Sequence, residues 1–236
     1  MKLKNLLSAR LKKRYKRFLA DVVLADGTEL TAHCPNTGSM RGCLAPGNPV
    51  MLSRSDSPAR KYPFTLEMIQ VQDCWVGINT GRTNQLVREA MENGVITDFG
   101  EISRIVPEVR VSAASRLDFL LLRGTEKIYV EVKNCTLVEG GRAMFPDAIT
   151  SRGTKHLLEL AELARGGHGA AIFFCVQRMD GEVFAPAAHI DPLYARTLRE
   201  IVSQGVRVLA YQALVGPGEI RLTHALPVQL AGGILC

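Results

Sequence analysis

Hydrophobic and polar positions change their rhythm once along this chain. Up to about residue 80 the apolar runs are short and separated by turn signals. Residues 15–24 form a β-like run, although Lys16, Arg17 and Asp21 interrupt it. Asp26-Gly27 is a hairpin signal and residues 29–34 make the return strand. Pro35-Asn36-Thr37-Gly38 and Pro46-Gly47-Asn48-Pro49 are turn clusters. Residues 50–53, 64–71 and 75–79 complete about five short strands with no long helix between them. That pattern predicts a small barrel such as an OB-fold over residues 1–80.

After residue 80 strands alternate with helices. Residues 84–93 place Leu86, Val87 and Ala90 on one helical face, and Gly94 stands where a helix stops. Residues 115–122 and 128–132 read as two strands joined through Arg123-Gly124-Thr125. A helix is predicted over 154–165, with leucines at 157, 158, 160 and 163 and a stop at Gly166-Gly167. Residues 170–176 look like a buried strand. Asp191-Pro192 opens a further helix to about Ser203, the Asp as cap and the Pro in the first turn, and residues 206–211 form a late strand. The fold class is therefore α/β (α+β overall). An OB-like barrel over 1–80 precedes an α/β layer domain over 81–236.

Composition adds little until charge is placed along the chain. Apolar residues make up 47 % and charged residues 22 % of the 236, an ordinary globular mixture. No stretch approaches the roughly 20 apolar residues of a membrane helix, and the N-terminal segment is too polar for a signal peptide. The six cysteines, at 34, 43, 74, 135, 175 and 236, contain no CxxC pair. They read as reduced thiols of a cytoplasmic protein, and His33, Cys34 and Cys43 lack zinc-ligand spacing. The net charge is +6, but residues 1–61 alone carry 12 Lys/Arg against 4 Asp/Glu. A basic module beside a near-neutral one points to a polyanion, with a solvated basic face as the plain reading.

The candidate chemistry lies in the two strands after the first helix. Strand alternation puts Glu131 and Lys133 on one face, and Asp118 begins the neighbouring strand. Two converging carboxylates offer hard oxygens to Mg²⁺ or Mn²⁺, and a nearby lysine can stabilise charge developing on a phosphate. This fits the E-x-K pattern of PD-(D/E)XK nucleases, although E-x-K alone equally describes a strand edge facing solvent. Glu89 on the preceding helix is a further carboxylate candidate, or an exposed helical Glu. Arg152, Lys155 and His156 surround a helix start that favours a phosphate. His156 reads as a phosphate contact, a proton donor or a surface residue, and Asp147 as a metal ligand or a turn cap. Arg116 is a further candidate DNA contact beside Asp118. In the basic module, Lys12, Lys13, Arg14, Lys16 and Arg17 surround Tyr15 and Phe18; Tyr15 is a stacking platform or core, and Phe18 reads as core. Asn36, Thr37, Ser39 and Arg41 form a polar loop that either contacts phosphate or simply turns.

Four segments then act together: His33-Cys34-Pro35-Asn36-Thr37-Gly38-Ser39-Met40, Ser115-Arg116-Leu117-Asp118-Phe119-Leu120-Leu121, Glu131-Val132-Lys133-Asn134, and Phe145-Pro146-Asp147-Ala148 with Arg152-Gly153-Thr154-Lys155-His156-Leu157. In combination they resemble the bacterial and archaeal sugar fermentation stimulation protein A family. The resemblance implies an OB-fold followed by a PD-(D/E)XK-like domain, non-specific DNA binding and a role in sugar (maltose) metabolism. It also implies metal-ligand positions for Asp118 and Glu131 and the catalytic-lysine position for Lys133. Three functions stay open at this point: a Mg²⁺- or Mn²⁺-dependent deoxyribonuclease, a non-catalytic DNA-binding regulator, and a binder of RNA or a nucleotide-bearing small molecule. The expected partner is DNA, single- or double-stranded, with no membrane and with homodimer formation left open.

Overall fold

Alternation in the first strand is broken at Lys12-Lys13, both exposed, where its pairing with the next strand shifts register. The structure, a computed structural model, describes residues 1–112 and 115–230, and the backbone of 233–235; Cys236 lies outside the described residues. Strand β1 (Leu7–Tyr15) turns Ala9 and Leu11 inward and Arg10 and Lys12 outward. It begins well before the run expected from residue 15. Only the start of that run is a turn: Lys16 and Arg17 both take positive φ, 49° and 65°, the geometry of a tight hairpin, and the rest of it is strand. Strands β2 (Leu19–Val23), β3 (Glu29–His33), β4 (Pro49–Arg54) and β5 (Phe64–Val71) follow. Their order is β3-β2-β1-β4-β5, and a parallel bridge from His33 to Thr65 joins β3 to β5. The result is a closed five-stranded OB-like barrel. Closure leaves no free edge, and Ala20, Val22, Ala32, Val50, Leu52 and Leu66 fill the interior. Gly27, with φ +85°, makes the expected β2–β3 turn, and β6 (Cys74–Gly77) pairs with β5 outside the barrel.

The second half is a sandwich of helices around a mixed sheet. Helix α1 (Thr83–Glu92) precedes strands β7 (Arg104–Ser112), β8 (Ser115–Arg123) and β9 (Glu126–Cys135). Two short strands, β10 (Leu137–Glu139) and β11 (Arg142–Phe145), lead into helix α2 (Ser151–Arg165). Then come β12 (Gly169–Val176), β13 (Val183–Pro186), helix α3 (Pro192–Val202), β14 (Arg207–Gly216) and β15 (Glu219–Ala225). Strands β16 (Val228–Leu230) and β17 (Gly233–Leu235) join β10, β11 and β13 in a small second sheet.

The main sheet has the order β15-β14-β12-β9-β8-β7, with β9, β12 and β14 parallel. Helix α1 covers one face through Leu86 and Val87, against Phe119, Val130 and Phe173. Helices α2 and α3 cover the other through Leu157, Leu160, Tyr194 and Leu198, against Ile172 and Phe174. Alternate residues of β12 therefore enter two different cores, which is why it reads as a continuous apolar run.

Helix starts carry the link to the site. Asp191 Oδ1 accepts the Tyr194 amide at 2.9 Å, and Pro192 occupies the first turn of α3. Its other oxygen accepts the Thr150 amide at 2.9 Å, so one carboxylate ties α3 to the residue that caps α2. Thr150 Oγ1 accepts the Gly153 amide at 3.0 Å. This cap starts α2 at Ser151, three residues before the start predicted from leucine spacing. Gly153 is required by packing, since a Cβ there would lie 3.1 Å from the Tyr194 ring.

Candidate functional site

The site forms where β8 and β9 part. Their regular register runs to Phe119 opposite Val130. One step beyond, Asp118 turns its Oδ2 to the Val132 amide at 2.7 Å instead of continuing the ladder. Its Oδ1 accepts Asn84 Nδ2 from the first turn of α1, also at 2.7 Å. Glu131 is 4 % exposed, and its Oε1 receives both the Lys133 ammonium and Nδ1 of His156 from α2. Arg152, one turn earlier, points Nε at His156 Nε2 across 3.5 Å. The imidazole thus donates through Nδ1 to Glu131 and presents Nε2 to Arg152.

Electrostatics separates the two carboxylates. Burial, followed by the charge of Glu131, pushes Asp118 from 3.8 up to about 6, against the pull of the Val132 and Asn84 hydrogen bonds. Burial also raises Glu131, but the His156 hydrogen bond and the Lys133 charge overcome it and hold Glu131 below its ordinary value. Asp118 is therefore the uncompensated member of the pair.

Two clefts meet at Asp118. One, of about 520 Å³, runs between the barrel and the second domain, with Arg17, Thr37, Asn84, Lys133, Asn134 and Asp147 in its walls. The other, of about 440 Å³, holds Asp118 and Glu131 together with Glu108, Arg110, Arg116, Arg152 and His156. Arg110 and Arg116 lie directly opposite across β7 and β8, an arrangement of like charges that costs stability unless an anion lies nearby.

Several sequence expectations change here. Glu89 is not brought to the cluster: its carboxylate pairs with the Met1 ammonium at 2.9 Å and accepts Gln85 Nε2 at 2.9 Å. The position beside Asp118 goes to Asn84. His156 is 4 % exposed, and its Nδ1 is committed to Glu131, so the structure places it to orient that carboxylate. Arg14 is also consumed internally, with its guanidinium donating to the carbonyls of Arg17, Asn36 and Gly38 at 2.6–2.9 Å. Asn36 is buried, and its Oδ1 accepts the Gly38 amide, so it shapes the loop. Lys12 is paired with Glu29 at 2.7 Å, Lys13 lies 3.7 Å from Asp21, Arg41 4.0 Å from Glu139, and Lys155 3.7 Å from Glu159. Lys16 and Thr37 are exposed, Arg17 and Thr37 line the interdomain cleft, and Arg116 and Arg152 line the second. Tyr15 gives its hydroxyl to Asp21 at 3.1 Å, and Phe18 is half exposed, outside the core. Asp147 accepts the Met40 amide at 2.7 Å, latching the second domain to the 36–40 loop of the barrel.

Among the described residues no group of three or more His, Cys, Asp and Glu is gathered as a ready-made metal cage. The donor set nevertheless fits a hard divalent cation of the Mg²⁺ kind, which is held by one or two carboxylates and completed by water and phosphate oxygens. The crowding of Asp118 by Glu131 is the observation that supports the fit, because a cation between them would relieve it. Glu131 Oε1 is filled by two donors, which leaves Oε2 for such an ion.

Residues 13–78 match the SfsA N-terminal OB domain, and residues 81–219 match the sugar fermentation stimulation protein RE domain. A sugar fermentation stimulation protein homolog of Geobacter sulfurreducens is 57 % identical over 227 residues, covering 96 % of this chain and 97 % of its own length. One from Desulfotalea psychrophila is 54 % identical over 228 residues, covering 97 % and 94 %. The solved structure of Pyrococcus furiosus SfsA in complex with Ca²⁺ superposes with a TM-score of 0.89 at 28 % identity, covering 97 % of this chain and 98 % of that one. Among the described residues, no helix is long and apolar enough to cross a membrane. With both halves of the architecture matched and more than half of the residues shared with relatives of the same length, this chain belongs to the sugar fermentation stimulation protein family.

Proposed function

We propose that this chain binds DNA without sequence preference and hydrolyses its phosphodiester bonds at Asp118, Glu131 and Lys133. The work divides near residue 80, with the barrel holding the strand and the α/β domain carrying the chemistry. The observation that carries this reading is the pairing of the buried Glu131 with the partly buried Asp118, which its surroundings raise to about 6, at the junction of two clefts. Asp118 and Glu131 would hold Mg²⁺ or Mn²⁺, and the complex of the Pyrococcus furiosus relative with Ca²⁺ supports the use of a divalent ion. When bound, such an ion polarises a phosphate oxygen and acidifies water.

The chain's own groups do the rest. Lys133 sets its ammonium beside Glu131, where it offsets charge developing on the phosphate. His156 fixes the rotamer of Glu131. Asn84 and the Val132 amide fix Asp118. Arg110, Arg116 and Arg152 supply counter-charge for the phosphates flanking the reacting one. The test is incubation of the pure chain with single- and double-stranded DNA and Mg²⁺ or Mn²⁺, beside Glu131→Ala. Metal-dependent cleavage lost in the variant is the expected result. Absence of cleavage, or equal cleavage by the variant, refutes hydrolysis.

One observation favours a second reading, a non-catalytic DNA-binding regulator of sugar (maltose) metabolism. Lys133 and His156 already satisfy Glu131 within the protein, so the fold holds this cluster together without an ion. The regulator reading predicts salt-sensitive DNA binding that EDTA leaves unchanged.

A further inference from the structure

The second cleft gathers arginines that the protein itself leaves unpaired. Arg116 stands two residues before Asp118 on β8, so strand alternation puts both side chains on one face. Arg110 lies directly opposite Arg116 across the β7–β8 pairing, and Arg152 enters from the first turn of α2. All three are exposed and line this cleft. Among the described residues no carboxylate is in ion-pair contact with any of the three guanidiniums, and Glu108, which lines the same cleft, pairs with none of them. Arg152 directs its Nε at His156 Nε2 across 3.5 Å, which orients the guanidinium and leaves its two terminal nitrogens free.

Charge and oxygen count decide what such a cleft can take. Glu131 is already matched by the Lys133 ammonium, which leaves Asp118 and Glu108 against three guanidiniums. The cleft is therefore positive before any cation binds, and a cation at Asp118 adds to it. Residues directly opposite on antiparallel strands have Cα atoms about 5 Å apart. Arg110 and Arg116 thus reach the same anion, and that anion relieves the repulsion between them. Each guanidinium can grip one or two phosphate oxygens. A phosphodiester inside a strand offers two unesterified oxygens and one negative charge. A phosphomonoester at a strand end offers three such oxygens and a charge of about −1.5 to −2. Three guanidiniums fit the second on both counts.

We infer that the second cleft is an end site: Arg110, Arg116 and Arg152 bind the terminal phosphate of a DNA strand and so set the adjoining phosphodiester at Asp118 and Glu131. The inference deepens the proposed reading and rests on DNA being the ligand, but not on hydrolysis. It goes beyond charge attraction, which treats every phosphate of a strand alike.

The test is fluorescence anisotropy in EDTA at fixed ionic strength, where no hydrolysis can interfere. The probes are dT hexamers that carry one internal fluorescein and end in a 5′-phosphate, a 3′-phosphate or hydroxyls at both ends. One phosphorylated hexamer should bind at least about tenfold more tightly than the hydroxyl-ended one, the scale of one charge-assisted hydrogen bond, and its identity gives the polarity of the strand. Arg116→Gln and Arg152→Gln should each remove that preference. Melting temperatures at or above the parent's confirm that these exposed substitutions leave the fold intact. Equal binding of all three hexamers, or a preference that both variants keep, overturns the inference. Thymidine 5′-monophosphate competing as well as the phosphorylated hexamer overturns its assignment to a strand in favour of a free nucleotide. Failure of every hexamer to bind overturns it together with the DNA reading. Absence of cleavage with Mn²⁺ while the end preference stands would sink only the hydrolytic reading.

Discussion

Replacing Asp118 by Asn should make the metal-free protein more stable at neutral pH. Burial and the facing Glu131 charge raise Asp118 from 3.8 to about 6. The folded state therefore holds this proton more tightly than the unfolded chain does. Below pH 3.8 the group is protonated in both states and contributes nothing. Between pH 3.8 and 6 stability falls as pH rises, and above 6 the loss is complete. A shift of about two units at 1.36 kcal/mol each gives a penalty of about 3 kcal/mol. Asn removes the charge but offers one acceptor where Asp118 offers two, to Asn84 and Val132, at a cost of about 1 kcal/mol. The net gain is about 2 kcal/mol, or a rise of about 5 °C in melting temperature for a chain this long. Parent and variant would be melted side by side in EDTA from pH 3.5 to 8. The gain should open between pH 4 and 6 and then stay level. Adding Mg²⁺ should raise the parent and not the variant. A variant that melts below its parent at pH 8, or a gap independent of pH, would refute the reasoning.

Other perturbations separate fold from site. Glu67 is 1 % exposed and receives Arg82 through two nitrogens at 2.6 and 2.8 Å. Arg82→Ala leaves that charge buried with only the neutral donors Ser53 and Asn79 and should cost about 3 kcal/mol, read by thermal melting. Gly38→Ala would put a methyl group 2.8 Å from Asp147 Oδ1. It should cost about 1–3 kcal/mol and speed proteolysis of the 36–41 loop by loosening the latch. Neutralising Lys16 and Arg17 together should lower the salt slope of single-strand binding by about 1.4, at roughly 0.7 per lost phosphate contact. Lys12→Gln, whose partner is Glu29, should leave the slope unchanged.

What could be read from the sequence was local, and what could not was long-range. Glu131 and Lys133 share a face because strands alternate, and Asp118 meets Glu131 because a two-residue turn pairs β8 with β9. Neither step needs the rest of the fold. Asn84 and His156 reach the same point from helices on opposite sides of the sheet, and no spacing announces that meeting. Glu89 looked suitable because a carboxylate on the first helix suits a metal. The rotation of α1, set by Leu86 and Val87, directs Glu89 to Met1 instead.

The basic N-terminal run misleads in a different way. Charge counting treats Arg14 and Lys16 alike, yet Arg14 is spent on three carbonyls while Lys16 stands free on a positive-φ turn. Phe18 read as core because aromatic residues usually are. The turn at Lys16 and Arg17 carries it out of the barrel's alternation.

The most direct test is a crystal grown with Mn²⁺ and measured for anomalous scattering. The account predicts one strong peak between the carboxylates of Asp118 and Glu131, lost in Asp118→Asn. A chain saturated with Mn²⁺ that shows no peak there, or keeps it in the variant, would contradict the assignment of this cluster as the metal centre.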